Sequence, residues 1–282
     1  MILCPNAKIN IGLEVVRRRE DGYHDIETLF VPAPGLRDVL EVVKADEPGM
    51  TCYGIPCDVP IEKNLCFKAY RLMQKYFGIG GVHIYLYKNI PMGAGLGGGS
   101  SDAAFTLKAI NVVFDLGLDN PRLAEIAAEL GSDCPFFIYN RAMYASGRGE
   151  ILEPFDIDLS PYRIEVVTPG LHISTPEAYA GVDALKGFNV IDAGHSKSRF
   201  ARRSITLNEN SDAEQSLLAA DLKTKLNSGV SNWRENVVND FEAYAFAKYP
   251  ILAKIKSDLY ERGAIYASMT GSGSAVYGIF KK

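Results

Sequence analysis

The run Gly93-Ala94-Gly95-Leu96-Gly97-Gly98-Gly99 holds five glycines in seven positions, with Pro91 and Met92 ahead of it and Ser100, Ser101 and Asp102 behind. Glycine loses extra backbone entropy on folding, so a run this dense implies a conformation or a close approach that side chains would forbid. Small residues that open a helix leave backbone N–H groups free at its positive end, which is phosphate-binding chemistry. Gly93 to Gly98 also satisfies G-x-G-x-x-G. The dinucleotide fingerprint, however, needs alternating β and α units and an acidic residue about twenty positions on. Here a helix runs into "FDLGLDNPRL" instead. A Walker loop is excluded because no Gly-Lys-Ser/Thr follows. The expectation is a phosphate cradle without a Walker lysine. Ser100 or Ser101 would cap the following helix or reach phosphate and its Mg2+, and Asp102 would face a metal, a cap or solvent.

Such a loop works only between a strand and a helix, and the flanking patterns supply both. "GVHIYLYKNI" alternates as a strand, and Ala103, Leu107, Ile110 and Phe114 share one helical face. Upstream, Ile9, Ile11 and Leu13 alternate with polar residues, "DGYHD" at Asp21 to Asp25 reads as a turn, and "ETLFVPAP" and "DVLEVVKA" continue the β-rich opening. A helix is expected over Asn64 to Phe77 with Asn64 as its cap, and another over Asn120 to Gly131. Asp133 precedes Cys134-Pro135, a pair that favours extended or turn backbone. Past "YRIEVVTP", a strand, the stretch from Ala184 to Gln215 is polar and reads as a long loop or flap. Helices return from Glu235, and two strands close the chain around a second glycine turn, Gly271 to Gly273. The change of character near residue 155 divides the chain into two α+β domains, 1–154 and 155–282.

Bulk properties narrow the function. With 282 residues, 47% hydrophobic, the chain can bury a substantial core. Its formal net charge of −4 gives no general attraction to nucleic acid or acidic lipid, so any bound anion needs a local device. No window reaches the about eighteen apolar residues of a membrane span, and the start lacks a signal-peptide pattern. Five cysteines without a C-x-x-C pair read as reduced thiols of a cytoplasmic protein.

Four further stretches carry a resemblance: "AKINIGLEVVRRREDGYHDIETLF", "LGSDCPFF", "ASGRGEIL" and "MTGSGSAVYGIF". Together with the glycine loop they resemble, in order and over the whole chain, the GHMP kinases, named for galactokinase, homoserine kinase, mevalonate kinase and phosphomevalonate kinase. The resemblance is to the branch whose acceptor is 4-diphosphocytidyl-2-C-methyl-D-erythritol, of the non-mevalonate isoprenoid route. It implies an N-terminal nucleotide-binding domain with a mixed sheet and a C-terminal ferredoxin-like α/β sandwich. It also implies ATP and Mg2+, phosphorylation of the acceptor's 2-hydroxyl, and a monomer or weak dimer. Asp133 would be the catalytic base and Lys8 the cation beside it. ATP phosphates would lie along Pro91 to Ser101, with Asn64, Leu65 and Lys88 on the adenine side. No residue is assigned as a metal ligand. Asn10 would contact the methylerythritol hydroxyls, while Tyr23 and His24, with Thr175 and Tyr179, would hold the cytosine ring. Gly271 and Ser272 would close over the acceptor or its phosphate. The basic residues around Arg199 to Arg203 read as a diphosphate contact or a solvated loop. Mevalonate or homoserine as acceptor is disfavoured, because neither has a base to stack. An inactive nucleotide-binding regulator is disfavoured by the intact Lys8 and Asp133.

Overall fold

Residue alternation builds the long first hairpin. Strand β2 (Asn6–Arg18) pairs antiparallel with β3 (His24–Arg37), keeping Ile9, Ile11 and Leu13 buried. The computed structural model describes residues 1–57, 59–188 and 221–282. Among these, β2 and β3 continue into β7 (Met143–Ser146) and β8 (Ile151–Pro154) as a four-stranded sheet in the order β2-β3-β7-β8. A second sheet joins β1 (Ile2–Leu3), β4 (Val39–Lys44), β6 (Val82–Lys88) and β5 (Gly49–Gly54) in the order β1-β4-β6-β5. It is mixed, because β5 runs parallel to β6 while the other pairs are antiparallel. A third sheet, antiparallel and in the order β10-β11-β9, uses β9 (Tyr162–Val167), β10 (Tyr266–Met269) and β11 (Val276–Lys281).

Helix α1 (Leu65–Phe77) is fixed at both ends: Asn64 Oδ1 accepts from the Cys66 N–H at 2.9 Å, and Gly78 ends it with φ +61°. It packs with α2 (Gly98–Val113) on the mixed sheet, burying Tyr70, Met73, Leu107 and Ile110. Met73, Leu107 and Ile110 each contribute about 1.5–3 kcal/mol by leaving water. Helices α3 (Asn120–Ala128) and α4 (Cys134–Tyr139) complete that layer. In the other half, α5 (Thr175–Lys186), α6 (Leu222–Asn227), α7 (Trp233–Asn236), α8 (Phe241–Lys248) and α9 (Pro250–Glu261) accompany the third sheet.

Several boundaries differ from expectation. Helix α2 starts inside the glycine run with Gly97 at its N-cap, so Ser100 and Ser101 stand in its first turn and cap nothing. Helix α3 is capped by Asp119 and stops at Ala128, and the chain then turns through Ser132 and Asp133. Pro135 sits at the second position of α4, where its missing N–H removes no helical bond, so a helix forms where extended or turn backbone was expected. His24 belongs to β3 and is buried rather than lying in the turn. Of the stretch expected to be a flap, residues 184–186 end α5, while residues 189–215, with Arg199 to Arg203, fall outside the described residues.

Strand ladders stay within residues 1–154 or within 155–282, yet the core does not: Ala7, Ile9 and Ile11 share one apolar cluster with Trp233, Tyr266 and Tyr277. Polar stitching runs beside it. Leu13 N–H donates to Val238 O and Asp240 N–H to Leu13 O, both at 2.9 Å. The buried Asn239 amide donates to Met269 O at 2.8 Å and Gly271 O at 2.9 Å, and its oxygen accepts from Phe241 N–H at 3.0 Å. Asn239→Ala takes this partner from the buried Gly271 carbonyl and Phe241 N–H and leaves Met269 O only the Ser268 hydroxyl, and should cost about 2–3 kcal/mol in urea unfolding. Asn239→Asp, which faces an oxygen at two carbonyls, should lose at least as much. A loss below about 1 kcal/mol for both would mean that the stitch carries little of the fold.

Candidate active site

The glycine loop is docked on three sides. Lys8 N–H donates to Leu96 O at 2.9 Å and Ala275 N–H to Ala94 O at 3.1 Å, while Thr270 Oγ1 donates to Gly95 O at 3.2 Å. Gly95 adopts φ +76°, and a Cβ there would lie 2.1 Å from the Thr270 carbonyl oxygen. At Gly97, φ is +69°, and a Cβ would stand 2.9 Å from Phe137 Cζ and 3.1 Å from Lys8 Cγ. No side chain caps α2, so the N–H groups of its first turn face outward without an intrahelical acceptor. Ala94 and Leu96, between the glycines, are buried and anchor the loop in the core.

A buried ionic cluster ties the ends of this loop together. Lys88, the last residue of β6, donates to Asp38 and, at 2.8 Å, to Asp102 on α2. Asp38 Oδ1 also accepts from Asn89 N–H at 2.6 Å and Ile90 N–H at 2.8 Å, where the chain enters the loop. All three side chains are at most 3% exposed. Burial pushes the Asp102 carboxyl up to about 8, against the pull of the Lys88 ammonium, and Asp38 adds to the rise. Asp102 Oδ1 and Ser101 Oγ are buried without a partner. Lys88 is thus a strut beneath the loop rather than an open adenine contact, and Asp102 faces that strut rather than solvent. Asn64 spends its side-chain oxygen on capping α1, while Leu65 Cδ1 comes within 3.7 Å of a Cβ built on Gly99. Met92 is exposed beside Pro91 at the start of the loop, and Ser100 lies against the Cys134 thiol.

A cavity of about 970 Å³ opens beside the loop. It collects Lys8, Asn10, Tyr23, His24, Gly93, Gly95, Gly97 and Asp133 with Thr175, Tyr179, Gly271 and Ser272. Lys8 Nζ donates to Asn10 Oδ1 at 2.6 Å, lies 3.7 Å from Asp133 Oδ2, and sits 4.9 Å from the Phe30 ring centroid. Burial lowers the pKa of the Lys8 ammonium below the lysine range, and the Asp133 carboxylate works against that fall. Asp133 stands at the N-cap of α4 but makes no side-chain cap bond, and its carboxylate is 35% exposed. Asn10 is held from both ends, donating to Thr28 Oγ1 at 3.0 Å and accepting from Thr270 Oγ1 at 3.2 Å. It therefore positions Lys8 as well as lining the cavity.

On the far side, Tyr179 and Asp183 lie one turn apart on α5, and both meet His24. The imidazole stacks on Tyr179 with centroids 4.4 Å apart and planes at 14°. Its Nε2 bonds Asp183 Oδ1 at 2.7 Å, and Arg18 lies 3.4 Å from the other carboxylate oxygen. Stacked rings this close leave no space for a base between them, so the Tyr179 face expected to hold one is occupied by His24. Tyr23 remains 57% exposed, with the Arg148 guanidinium 5.0 Å from its ring centroid. Thr175 Oγ1 and Ser272 Oγ are 3.4 Å apart. The cavity also gathers Arg18, Arg148, His172 and Asp183, none of which the sequence singled out. Arg148 sits in a Gly-Arg-Gly turn and Asp183 four residues after Tyr179, so both had a visible signal; His172 had none.

The model of the GHMP kinases N terminal domain matches residues 64–141, and that of the GHMP kinases C terminal matches residues 218–282. The chain is 45% identical to the 4-diphosphocytidyl-2-C-methyl-D-erythritol kinase of Azobacteroides pseudotrichonymphae genomovar. CFP2, over 100% of this chain and 94% of that protein. It is 43% identical to the protein of the same name from Parabacteroides distasonis, over 100% and 92%. A crystal structure of 4-(cytidine 5'-diphospho)-2C-methyl-D-erythritol kinase is similar with a TM-score of 0.73 and 33% identity, covering 99% of this chain and 89% of that one. A crystal structure of mevalonate kinase, at 15% identity and a TM-score of 0.66, shares the fold, covering 100% and 91%.

The cluster beneath the loop generates a stability contrast. Lys88→Met strands two buried carboxyls and should cost about 3–5 kcal/mol. Asp102→Asn keeps an acceptor for Lys88 and loses no bond at the unpartnered oxygen, so it should cost under about 1.5 kcal/mol. Equilibrium denaturation of both variants checks this, and equal losses would remove Lys88 from the centre of the cluster.

Proposed function

This chain belongs to the GHMP kinases, and we propose that it carries out the full reaction that its relatives' names describe. It is an ATP-dependent phosphotransferase acting on a small molecule, 4-diphosphocytidyl-2-C-methyl-D-erythritol, in the non-mevalonate route. The acceptor oxygen is the 2-hydroxyl. One observation carries the chemical reading: Lys8 and Asp133, 3.7 Å apart, lie in the same cavity wall as glycines of the phosphate loop.

The residues present fit a nucleotide. Positive-φ glycines bring backbone close to the donor's phosphates, and the uncapped start of α2 offers N–H groups to them. Among the described residues no group of three or more His, Cys, Asp or Glu is placed to hold a metal. Mg2+ would be supplied with the nucleotide rather than held by a carboxylate cage of the protein. When bound, the ion neutralises charge on the transferring group. Asp133 takes the proton of the acceptor hydroxyl. Lys8, aimed by Asn10, faces that carboxylate and offsets charge gathering on the phosphoryl oxygens. Because the transition state is loose, this positioning matters more than base strength. The acceptor's cytidine end lies toward Tyr23, Arg148 and the His24–Asp183 pair, which gives a base a ring to stack on and polar groups to meet. A nucleic-acid partner is not part of this reading, and no helix among the described residues is long and apolar enough to cross a membrane.

Incubation with Mg-ATP and, separately, the cytidyl acceptor, mevalonate, homoserine and galactose should give a phosphorylated product with the first alone. Turnover of another acceptor would discard the cytidine end, and none at all despite ATP binding would point to a regulator. Asp133→Asn should lower kcat by at least about 100-fold with ATP affinity intact, within the range that a positioned base contributes. The Lys8 ammonium is present below its lowered pKa and lost as pH rises through it. The kcat profile should therefore fall on the alkaline side before the ordinary lysine value of about 10.4. A rate flat to that pH would contradict the role given to Lys8.

A further inference from the structure

The connection from β9 to α5, residues 168–174, is fastened on both sides of His172. Ser274 Oγ, from the second glycine turn, donates to the Leu171 carbonyl. Ile173 is buried, with its Cδ1 3.1 Å from where a Gly273 Cβ would be. Ser174 Oγ then caps α5, accepting from Glu177 N–H at 3.3 Å. Between these anchors the His172 side chain is exposed and lines the cavity that holds Lys8 and Asp133. Its ring edge lies over the start of the phosphate loop: a Cβ on Gly93 would be 2.5 Å from Nδ1 and 2.7 Å from Cε1. Only glycine lets the imidazole sit there.

Among the described residues, every other basic side chain in the cavity wall already has a carboxylate. Lys8 has Asp133, Arg18 and His24 share Asp183, and Arg148 has Glu150. The His172 imidazole makes no hydrogen bond or ion pair among the described residues. Two hydroxyls 3.4 Å apart, Thr175 Oγ1 and Ser272 Oγ, line the same cavity. An N–H donor and two hydroxyls lining one cavity, where donor loop and acceptor side meet, make a site for anionic oxygen.

We propose that His172 is a phosphate-contact residue, donating a ring N–H to a phosphoryl oxygen at the junction of donor and acceptor. The oxygen belongs either to the nucleotide's terminal phosphate or to the acceptor's diphosphate. The choice of ligands rests on the kinase reading above, whereas the contact itself rests on the cavity.

Calorimetric titration of the full chain with ADP, a non-hydrolysable ATP analogue, cytidine 5'-diphosphate and cytidine distinguishes the sources. His172→Ala should weaken a phosphate-bearing ligand roughly tenfold, as loss of one charge-assisted hydrogen bond does, and leave cytidine unchanged. His172→Gln, which retains an N–H donor, should recover most of that loss. A fall confined to the ATP analogue assigns the donor's terminal phosphate, and a fall confined to cytidine 5'-diphosphate assigns the acceptor. Changes under about twofold for every phosphate-bearing ligand would overturn the proposal. So would an equal loss for cytidine, which signals distortion rather than a lost contact. If the unsubstituted protein binds no cytidine 5'-diphosphate, the acceptor reading fails while the nucleotide titrations still decide the role of His172.

Discussion

A glycine loop has no stiffness of its own, and in this protein stiffness comes from the charge cluster beneath it. Lys88 closes β6, Asp102 opens the helix beyond the loop, and Asp38 reaches both Lys88 and the two N–H groups where the loop begins. Breaking any of these inside an apolar layer leaves a charge or a donor without water, so the ends of the loop are held together by what it costs to separate them. Two carboxyls share one ammonium, and burial holds Asp102 up at about 8.

The same physics acts with opposite sign at Lys8. Burial disfavours its ammonium, while Asp133 and the Asn10 oxygen favour it. The compromise is a cation held on a strand, aimed by a neighbour that is itself pinned between Thr28 and Thr270. Thr270 belongs to the last glycine turn, so the far end of the chain takes part in placing a residue at its beginning. Residues with little in common in sequence thus meet at one point because the cluster of Ile9, Ile11, Trp233 and Tyr277 brings both halves together.

The alternation of Ile9, Ile11 and Leu13, the cap at Asn64 and the strand–loop–helix setting of the glycines were legible in the sequence because each is a local pattern. So was the mixed α+β class, and the motifs resembling GHMP kinases pointed to the family to which the chain belongs. What was not legible depends on partners far along the chain. Lys88 read as a ligand contact because nothing local announces Asp38, 50 residues away. His24 read as a turn residue because its partner Asp183 lies 159 residues later, just before a stretch that reads as loop. Helix α4 was hidden by a proline that usually stops helices but here occupies a position where it costs none of the bonds. His172 offers no pattern at all; its neighbours in space come from three segments.

The contact between Gly95 and the Thr270 carbonyl bears on inheritance as well as on mechanics. A methyl group at position 95 would collide with the protein's own backbone, and one at position 97 with Phe137 and Lys8, whether or not a nucleotide is bound. Selection for folding alone would therefore hold these two glycines in place. A descendant that had abandoned phosphoryl transfer would go on displaying much of the pattern. The glycines record ancestry and packing before they record function.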